Sequence, residues 1–428
     1  MSHLVWANTI PHFWETKPLR AVVDYVVSNV DKVPADDELQ VRLCNYTDVY
    51  NNEFITLDLD FMRATATEAE IAKFGIAVDD VIITKDSESW DDIGVPALVQ
   101  ETAPDLVCGY HLALLRPRNQ QIIGAFLFRC LQAKPVGVQL ELAANGVTRF
   151  GIPKSEIGAL AIPVPPLTHQ HAIADYLDRE TKRIDALVAA KERLLGLLTE
   201  KRWALITRAV TRGLDPNVPQ QESGIPWIGE IPVQWQTERA RWLFCERDQR
   251  SETGEEELLT VSHLTGVTPR SEKDVNMFEA ETKEGYKICH KGDLVINTMW
   301  AWMGAMGVSP LHGIVSPGYN VYEPKGQLDP DYVDALVRLP IFAQEVTRYS
   351  KGVWSSRLRL YPEGFFEAYL PVPPLEEQRE IVDNIDFETN KIDSLTAPTK
   401  HTITFLKERR SGLIAAAVTG QIDVGGAS

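Results

Sequence analysis

The sequence predicts an α/β (α+β) chain built twice over: two tandem mixed α/β domains separated by two long helices that pack as an antiparallel coiled coil, the halves related by a pseudo-two-fold. Three observations carry that expectation. Residues 162–215 and 370–423 are one segment written twice at an ungapped offset of 208, with 24 of 54 positions identical, and a self-match at one fixed offset marks an internally duplicated architecture. Each copy opens on Pro-Val-Pro-Pro-Leu, at 163–167 and 371–375, and continues through a stretch with little Gly or Pro and a seven-residue apolar rhythm. Finally, Ile10-Pro-His-Phe-Trp14 lies over Ile231-Pro-Val-Gln-Trp235, so the duplication reaches into the segments between the helices.

In chain order, residues 1–160 form the first mixed domain, 161–215 the proline motif and first helix, 216–369 the second domain, and 370–428 the second motif and helix. Within the domains, the strand-like run Asp80-Val-Ile-Ile-Thr84 resembles Asp293-Leu-Val-Ile-Asn297, and Gly109-Tyr-His111 resembles Gly318-Tyr-Asn320. The prolines force an extended approach and stop each helix from propagating backwards. In the first helix Leu177, Ile184, Leu198 and Leu205 fall on one heptad series, with Leu187 and Leu194 on the companion seam; Ile385, Ile392, Leu406 and Leu413 are their equivalents in the second. The seam is polar at its centre in both copies, Lys191 and Thr399, which suggests that the copies pair with each other. That polar position either fixes register or marks a shortened seam where solvent enters. Pro398 is expected to kink or interrupt the second helix.

Composition narrows the class. A chain of 428 residues with 44% apolar content can bury two ordinary cores. No apolar run approaches the ~20 residues of a membrane span, and the N-terminus lacks the pattern of a signal peptide, so a cytoplasmic protein without membrane contact is expected. Cys44, Cys108, Cys130, Cys245 and Cys289 are odd in number and form no Cys-x-x-Cys pair, which points to small buried residues rather than disulfides or zinc ligands. The net charge of −17 argues against a nucleic-acid partner. Its distribution softens that: residues 1–160 carry 13 basic and 22 acidic groups, whereas residues 168–212 carry 9 basic and 6 acidic. A local basic face acts over a Debye length of about 10 Å, so an acidic remainder does not exclude phosphate contacts.

The order Ile-Pro-x-x-Trp, diverged domain, Pro-Val-Pro-Pro-Leu-x-x-Gln, and a long helix ending Lys201-Arg-Trp-Ala-Leu-Ile-Thr-Arg-Ala-Val-Thr211, all repeated once, resembles the DNA sequence-specificity subunit (S subunit) of type I restriction-modification systems. Gly224-Ile-Pro-Trp-Ile-Gly-Glu-Ile-Pro-Val-Gln-Trp235 is among the most family-like stretches; His169-Gln170 departs from the usual Glu-Gln that Glu377-Gln378 keeps. The resemblance implies two target recognition domains, each binding one half of a bipartite, asymmetric duplex DNA sequence, with the helices setting the gap. It also implies docking of two modification (methyltransferase) subunits and of restriction (motor-nuclease) subunits. S-adenosylmethionine, ATP and Mg would belong to those partners, with no cofactor or metal in this chain and no catalysis of its own.

In keeping with that, the dipeptide Gly-Lys never occurs, and neither His-Glu-x-x-His nor an Asn/Asp-Pro-Pro-aromatic motif is present. Reading DNA needs Arg, Lys, Asn, Gln or hydroxyl side chains on loops or strand edges. The candidates in the first domain are Lys85, Ser87, Arg116, Arg118, Arg149 and Lys154. Those in the second are Asn297, Thr298, Trp300, Tyr319 and Asn320, then the cluster Arg348, Lys351, Trp354, Arg357 and Arg359. Trp300 and Trp302 fit a core better than a wedge between bases. Two rival readings stand beside this one: a diverged assembly scaffold that binds modification subunits without recognising DNA, and an enzyme whose site lies hidden in a globular half.

Overall fold

A computed structural model describes residues 5–8, 10–33, 35–118, 120–273, 282–353 and 357–424. Contacts divide the chain into unit 1, Met1–Glu192 with His401–Ser428, and unit 2, Arg193–Lys400. Four helices organise the description: α1 (Gly124–Gln132), α2 (Leu167–Arg212), α3 (Pro330–Val337) and α4 (Leu375–Val418). Both long helices pass from one unit's membership to the other's, so each unit holds the start of one and the end of the other.

Unit 1 is built on a five-stranded sheet ordered Val23–Val27, Leu112–Pro117, Val81–Thr84, Pro96–Val99, Phe54–Ile55, antiparallel except for the last pair. The run Val81-Ile-Ile is apolar without alternation because both faces are covered. Val81, Ile83, Ala113 and Leu115 face the core that contains α1, while Ile82, Leu112 and Leu114 face a second core. That second core lies under the strands Leu39–Cys44, Met62–Ala66 and Leu106–Cys108. Cys44, Cys108 and Cys130 are buried free thiols, as expected; Cys289 in unit 2 is buried as well, and Cys245 is half-buried.

Unit 2 repeats the plan on an antiparallel sheet ordered Phe244–Glu246, Tyr319–Pro324, Leu294–Asn297, Met306–Val308. Leu294 and Ile296 face one core and Val295 the other. The gapped resemblance between the two strand-like runs marks equivalent architecture. Asp80 and Asp293 are both buried, each accepts a 2.8 Å hydrogen bond from the backbone amide three residues earlier, Ala77 or His290, and each pairs with an arginine, Arg116 or Arg247. A buried carboxylate is tolerable only when paired and hydrogen-bonded in this way.

The repeated motif acts as a clamp. Gln170 is fully buried; its amide donates to the carbonyls of Gln121 and Pro165, both at 2.9 Å, and its oxygen accepts from the Ile123 amide at 3.0 Å. Gln378 does the same with Gln327 O at 3.2 Å, Pro373 O at 2.9 Å and the Asp329 amide at 2.8 Å. A glutamine is the one neutral side chain with the reach, donors and acceptor for that triple bond, and it ties the first turn of α2 or α4 to the entry of α1 or α3. The proline strand is held by a partner from the far end of its domain, Glu15–Pro18 against Ala161–Val164 and Gln236–Arg239 against Tyr369–Val372. Beside it, Trp14 and Trp235 close matched turns, donating backbone N–H to Pro11 O and Pro232 O at 2.9 Å each. The repeated Ala-Val-Thr has its reason here too: Ala417 and Val418 lie in the core of Trp14, and Ala209 and Val210 in the core of Trp235.

The helices pair antiparallel within each unit. In unit 1 Arg410 of α4 meets Asp185 of α2 at 2.9 Å and Glu53 at 2.7 Å, and Lys407 meets Glu192 at 3.1 Å. In unit 2 Arg202 pairs with Asp393. The two arginines, like the two aspartates, are equivalent at the 208 offset, so the repeated Ile-Asp supplies one cross-helix ion pair per unit. Among the buried and half-buried positions one series runs 177, 181, 184, 188, 191, 195, 198, 202 in α2 and 385, 389, 392, 396, 399, 403, 406, 410 in α4, alternating steps of four and three as a coiled-coil seam requires. Leu177, Ile184, Leu198, Ile385 and Ile392 are buried in it, and Leu406 is half-buried; Leu205 and Leu413 are half-buried where the helix ends enter the cores.

Two expectations need correction. Leu187 and Leu194 are 46% and 38% exposed, and the companion seam is carried instead by Thr181, Val188 and Leu195. A single heptad series is compatible with a companion at either +3 or +4, and only the position of the partner helix chooses. Pro398 does not interrupt α4, which is helical from Leu375 to Val418; a proline removes one donor and crowds one carbonyl, and the seam side chains on either side, Ile392, Thr399 and Ile403, stay buried.

Candidate nucleic-acid interface

Each unit carries a short hairpin just ahead of its proline motif. In unit 1 it pairs Asn145–Gly146 with Phe150–Gly151, with Asn145 opposite Gly151. In unit 2 an isolated antiparallel bridge joins Lys351 to Arg359, with N–H···O distances of 2.9 Å in both directions. Gly151 and Arg359 are related by the 208 offset, and so are Arg149 and Arg357. The residue after each bridge is a glycine at positive φ, 155° for Gly146 and 150° for Gly352. A Cβ there would stand 1.9 Å from the Arg149 carbonyl oxygen or 2.6 Å from that of Arg357, so the turn requires glycine. Arg149 and Arg357 are exposed beside these tips. Trp354 lies outside the described residues.

Around Arg149 the unit 1 hairpin meets a polar hollow lined by Asn45, Tyr46, Tyr50, Asp86, His111 and Arg149. His111 holds a left-handed backbone, φ 68°, rare for a residue with a side chain. Its Nδ1 lies 2.5 Å from Asp86 Oδ2, and its Nε2 lies 3.3 Å from Arg149 Nη2. Because an arginine only donates, the contact leaves Nε2 as acceptor and places the imidazole proton on Nδ1, toward Asp86. Burial pushes the Asp86 carboxyl up, but hydrogen bonds from Lys85 and His111 and the charge of the Lys85 ammonium together outweigh it and hold the group below the ordinary aspartate value. Burial raises the Tyr46 hydroxyl, and the hydrogen bond to Asp92 raises that of Tyr50; their rings stack at 5.6 Å. Neutral tyrosine rings and one fixed guanidinium offer stacking faces and a phosphate donor in one place.

The remaining candidates divide by how far their side chains are already committed. Lys85 is bound to Asp86 at 2.6 Å, and Ser87 is buried against the hairpin. Arg116 is held by Asp80 at 2.7 Å and Arg118 by Asp24 at 2.7 Å, so both brace the sheet edge. Lys154 is exposed, with its ammonium 5.7 Å from the Tyr25 ring. In unit 2, Asn297 and Asn320 are buried; Asn297 accepts from the Met299 amide at 3.2 Å, and Asn320 accepts from the buried Lys287 ammonium at 3.0 Å. Thr298 donates to Gly318 O at 2.7 Å, and Tyr319 is packed against a core. Arg348 pairs with the buried Glu345 at 3.0 Å. Lys351 is exposed near the Tyr361 ring, and Arg359 is half-buried, bonded to Leu358 O at 3.0 Å. The core reading of Trp300 is corrected: the ring is 50% exposed and stacks on half-buried Trp302 at 6.1 Å, because the loop after Asn297 turns both indoles outward.

Sequence reasoning named Arg149 and Arg357 among the candidates but missed what positions them. The signal was available as Gly146-Val147 and Gly352-Val353, each a few residues ahead of its arginine. His111 and Asp86 carried none, since 25 positions separate them. Among the described residues no group of three or more His, Cys, Asp or Glu is placed to hold a metal ion, and no helix is long and apolar enough to cross a membrane.

Residues 29–194 match the family model of the type I restriction modification DNA specificity domain. A putative type I restriction enzyme MjaX specificity subunit of Methanocaldococcus jannaschii is 21% identical over 97% of this chain and 95% of its own length. The type I restriction enzyme EcoKI specificity subunit of Escherichia coli (strain K12) is 26% identical over 48% of this chain and 44% of its own length. Among solved structures, a chain from work on complex assembly and conformational transition of the type I R-M system aligns with TM-score 0.70 at 16% identity, over 96% of this chain and 99% of that one. The HsdS subunit from Thermoanaerobacter tengcongensis aligns with TM-score 0.52 at 16% identity, over 96% and 98%. The duplicated clamp and helix seam run along the same length, and the chain is similar to the DNA specificity subunits of type I restriction-modification systems, with residues 29–194 matching their specificity-domain model.

Proposed function

We propose that this chain selects a bipartite, asymmetric duplex DNA sequence, one half-site per recognition domain, with the helix pair setting the unread gap. The observation that carries the proposal is the hairpin with its exposed arginine, present once in each unit at equivalent positions. Two diverged domains on one duplicated frame would read two different half-sites. α2 alone, at 46 residues, would span roughly 69 Å at ~1.5 Å per residue, ample for half-sites separated by about one or two helical turns of ~34 Å.

The same chain would scaffold the complex. Leu187 and its equivalent Leu395, like Leu197 and Phe405, are exposed on the outward faces of the helices, and two equivalent apolar faces suit two copies of a modification subunit. A relative in fold comes from a type I R-M system studied for its complex assembly, which supports partner subunits here. Methyl transfer, ATP hydrolysis and cleavage, with S-adenosylmethionine, ATP and Mg, would then belong to the modification and restriction subunits. The chain itself would catalyse nothing.

The test is a methylation map of a host expressing this chain with its modification subunits. A modified motif in two unlike halves with a constant gap is expected, and exchanging residues 1–160 for another member's should change one half only. A contiguous motif, or a change in both halves, would refute modular reading. One observation favours a second reading, a scaffold that no longer recognises DNA: the first domain carries 22 acidic against 13 basic residues. Specific over nonspecific binding measured at two salt concentrations separates the two, since a ratio of ~10³ or more requires recognition.

A further inference from the structure

Val147 and Val353 are 92% and 91% exposed, the two most exposed large apolar side chains among the described residues. Scattered surface valines are ordinary, but these two share a setting. Each directly follows the positive-φ glycine of its hairpin, and each precedes the equivalent arginine, Arg149 or Arg357. The Gly-Val pairs are offset by 206 and the arginines by 208, so the loop has gained two residues in unit 2 while the tip kept its apolar residue. The flanking sequence has changed otherwise: Asn145 is opposite Gly151 in one hairpin, Lys351 opposite Arg359 in the other.

Resting on the reading of this chain as a recognition subunit, we propose that Val147 and Val353 are specificity contacts, each entering a groove of duplex DNA to touch base edges while the neighbouring arginine holds a phosphate. A valine this exposed adds nothing to the folded state, whereas burying one takes apolar surface out of water, which is favourable. The side chain is β-branched and has one torsion, so little side-chain freedom is lost on insertion. A small branched apolar group is complementary to a thymine methyl or to the face of an opened base step, and an exposed guanidinium beside it suits the backbone. In unit 1 the His111 contact fixes the arginine in place before DNA arrives.

The experiment uses the full chain assembled with its modification subunits and compares wild type with Val147→Ser and Val353→Ser. Neither change touches a core. Affinity is measured for the recognised duplex and an unrelated one, together with methylation of sites bearing single base substitutions. Each variant is expected to lose about 10-fold in specific affinity, to keep its nonspecific affinity, and to relax base discrimination in one half-site only, a different half for each. Unchanged specific affinity and discrimination in a wild-type background that recognises DNA overturns this proposal alone. Loss of assembly with discrimination intact also overturns it, by making the tips protein contacts. Absence of specific binding in the wild type sinks both this proposal and the reading it rests on.

Discussion

Replacing Gln170 with alanine removes a buried amide whose three hydrogen bonds join the start of α2 to the entry of α1. The alanine leaves the Ile123 amide and the carbonyls of Gln121 and Pro165 without their glutamine partner, the Pro165 carbonyl fully buried. An orphaned buried polar group costs about 1–3 kcal/mol; with the two partly buried groups recovering some solvent, the loss for unit 1 should be about 2–4 kcal/mol. For a unit of about 200 residues, each kcal/mol lowers Tm by ~2–4 °C, so unit 1 should melt roughly 4–16 °C lower, and the Ile123 amide should exchange with solvent faster. Gln170→Glu should be no better, because a carboxylate would face two carbonyls without a donor. Gln378→Ala should do the same to unit 2, and the two sites share no partner, so their effects should add. A loss below about 0.5 kcal/mol, with Ile123 exchange unchanged, would refute the idea that the repeated glutamine is a clamp.

Arg410→Ala removes the cation that joins Glu53 to Asp185, leaving Glu53 the Arg129 guanidinium at 3.8 Å, and should destabilise unit 1 by about 1 kcal/mol, whereas a near-zero coupling in an Arg410→Ala/Asp185→Ala cycle would show the pair to be incidental. Acid should act on unit 1 through Asp86. Its folded value is held below the ordinary one by Lys85 and His111 against the opposing effect of burial, so its contribution is full above the unfolded value of about 3.9 and is lost as pH falls through the folded value. Asp86→Asn should flatten that acid limb in melting curves, and an unchanged limb would argue against it. Inserting seven residues into both α2 and α4 at equivalent seam positions keeps the heptad register and lengthens the pair by roughly 10 Å at ~1.5 Å per residue. The gap between half-sites should then grow by about three base pairs at ~3.4 Å each. A constant gap with intact methylation would mean that the helices do not set spacing.

Much of the frame was legible because duplication amplifies weak signals. Ile184-Asp185 and Ile392-Asp393 look unremarkable singly; their repetition pointed to a shared role, which proves to be a seam residue with a cross-helix ion pair beside it. The errors have a common physical origin. Leu187 and Leu194 are good seam residues by chemistry, but a helix does not know which of its faces the partner will cover. Arg116 and Arg118 show the same limit in their surroundings: the sequence displays a charge and hides its partner, Asp80 at 36 positions' distance and Asp24 at 94.

Periodicity and self-similarity are local or translational properties, and the sequence alone therefore determined the two-part plan, the long helices, their seam series and the place of each glutamine and tryptophan motif. Which side chains stand free was decided only in three dimensions, because burial and ion pairing join residues that the chain separates. Asn320 disappears against Lys287, Trp300 emerges, and two turns that only glycine fits lift Val147 and Val353 into solvent beside Arg149 and Arg357. Exposure depends on what the rest of the fold leaves uncovered, and no pattern within a segment records that.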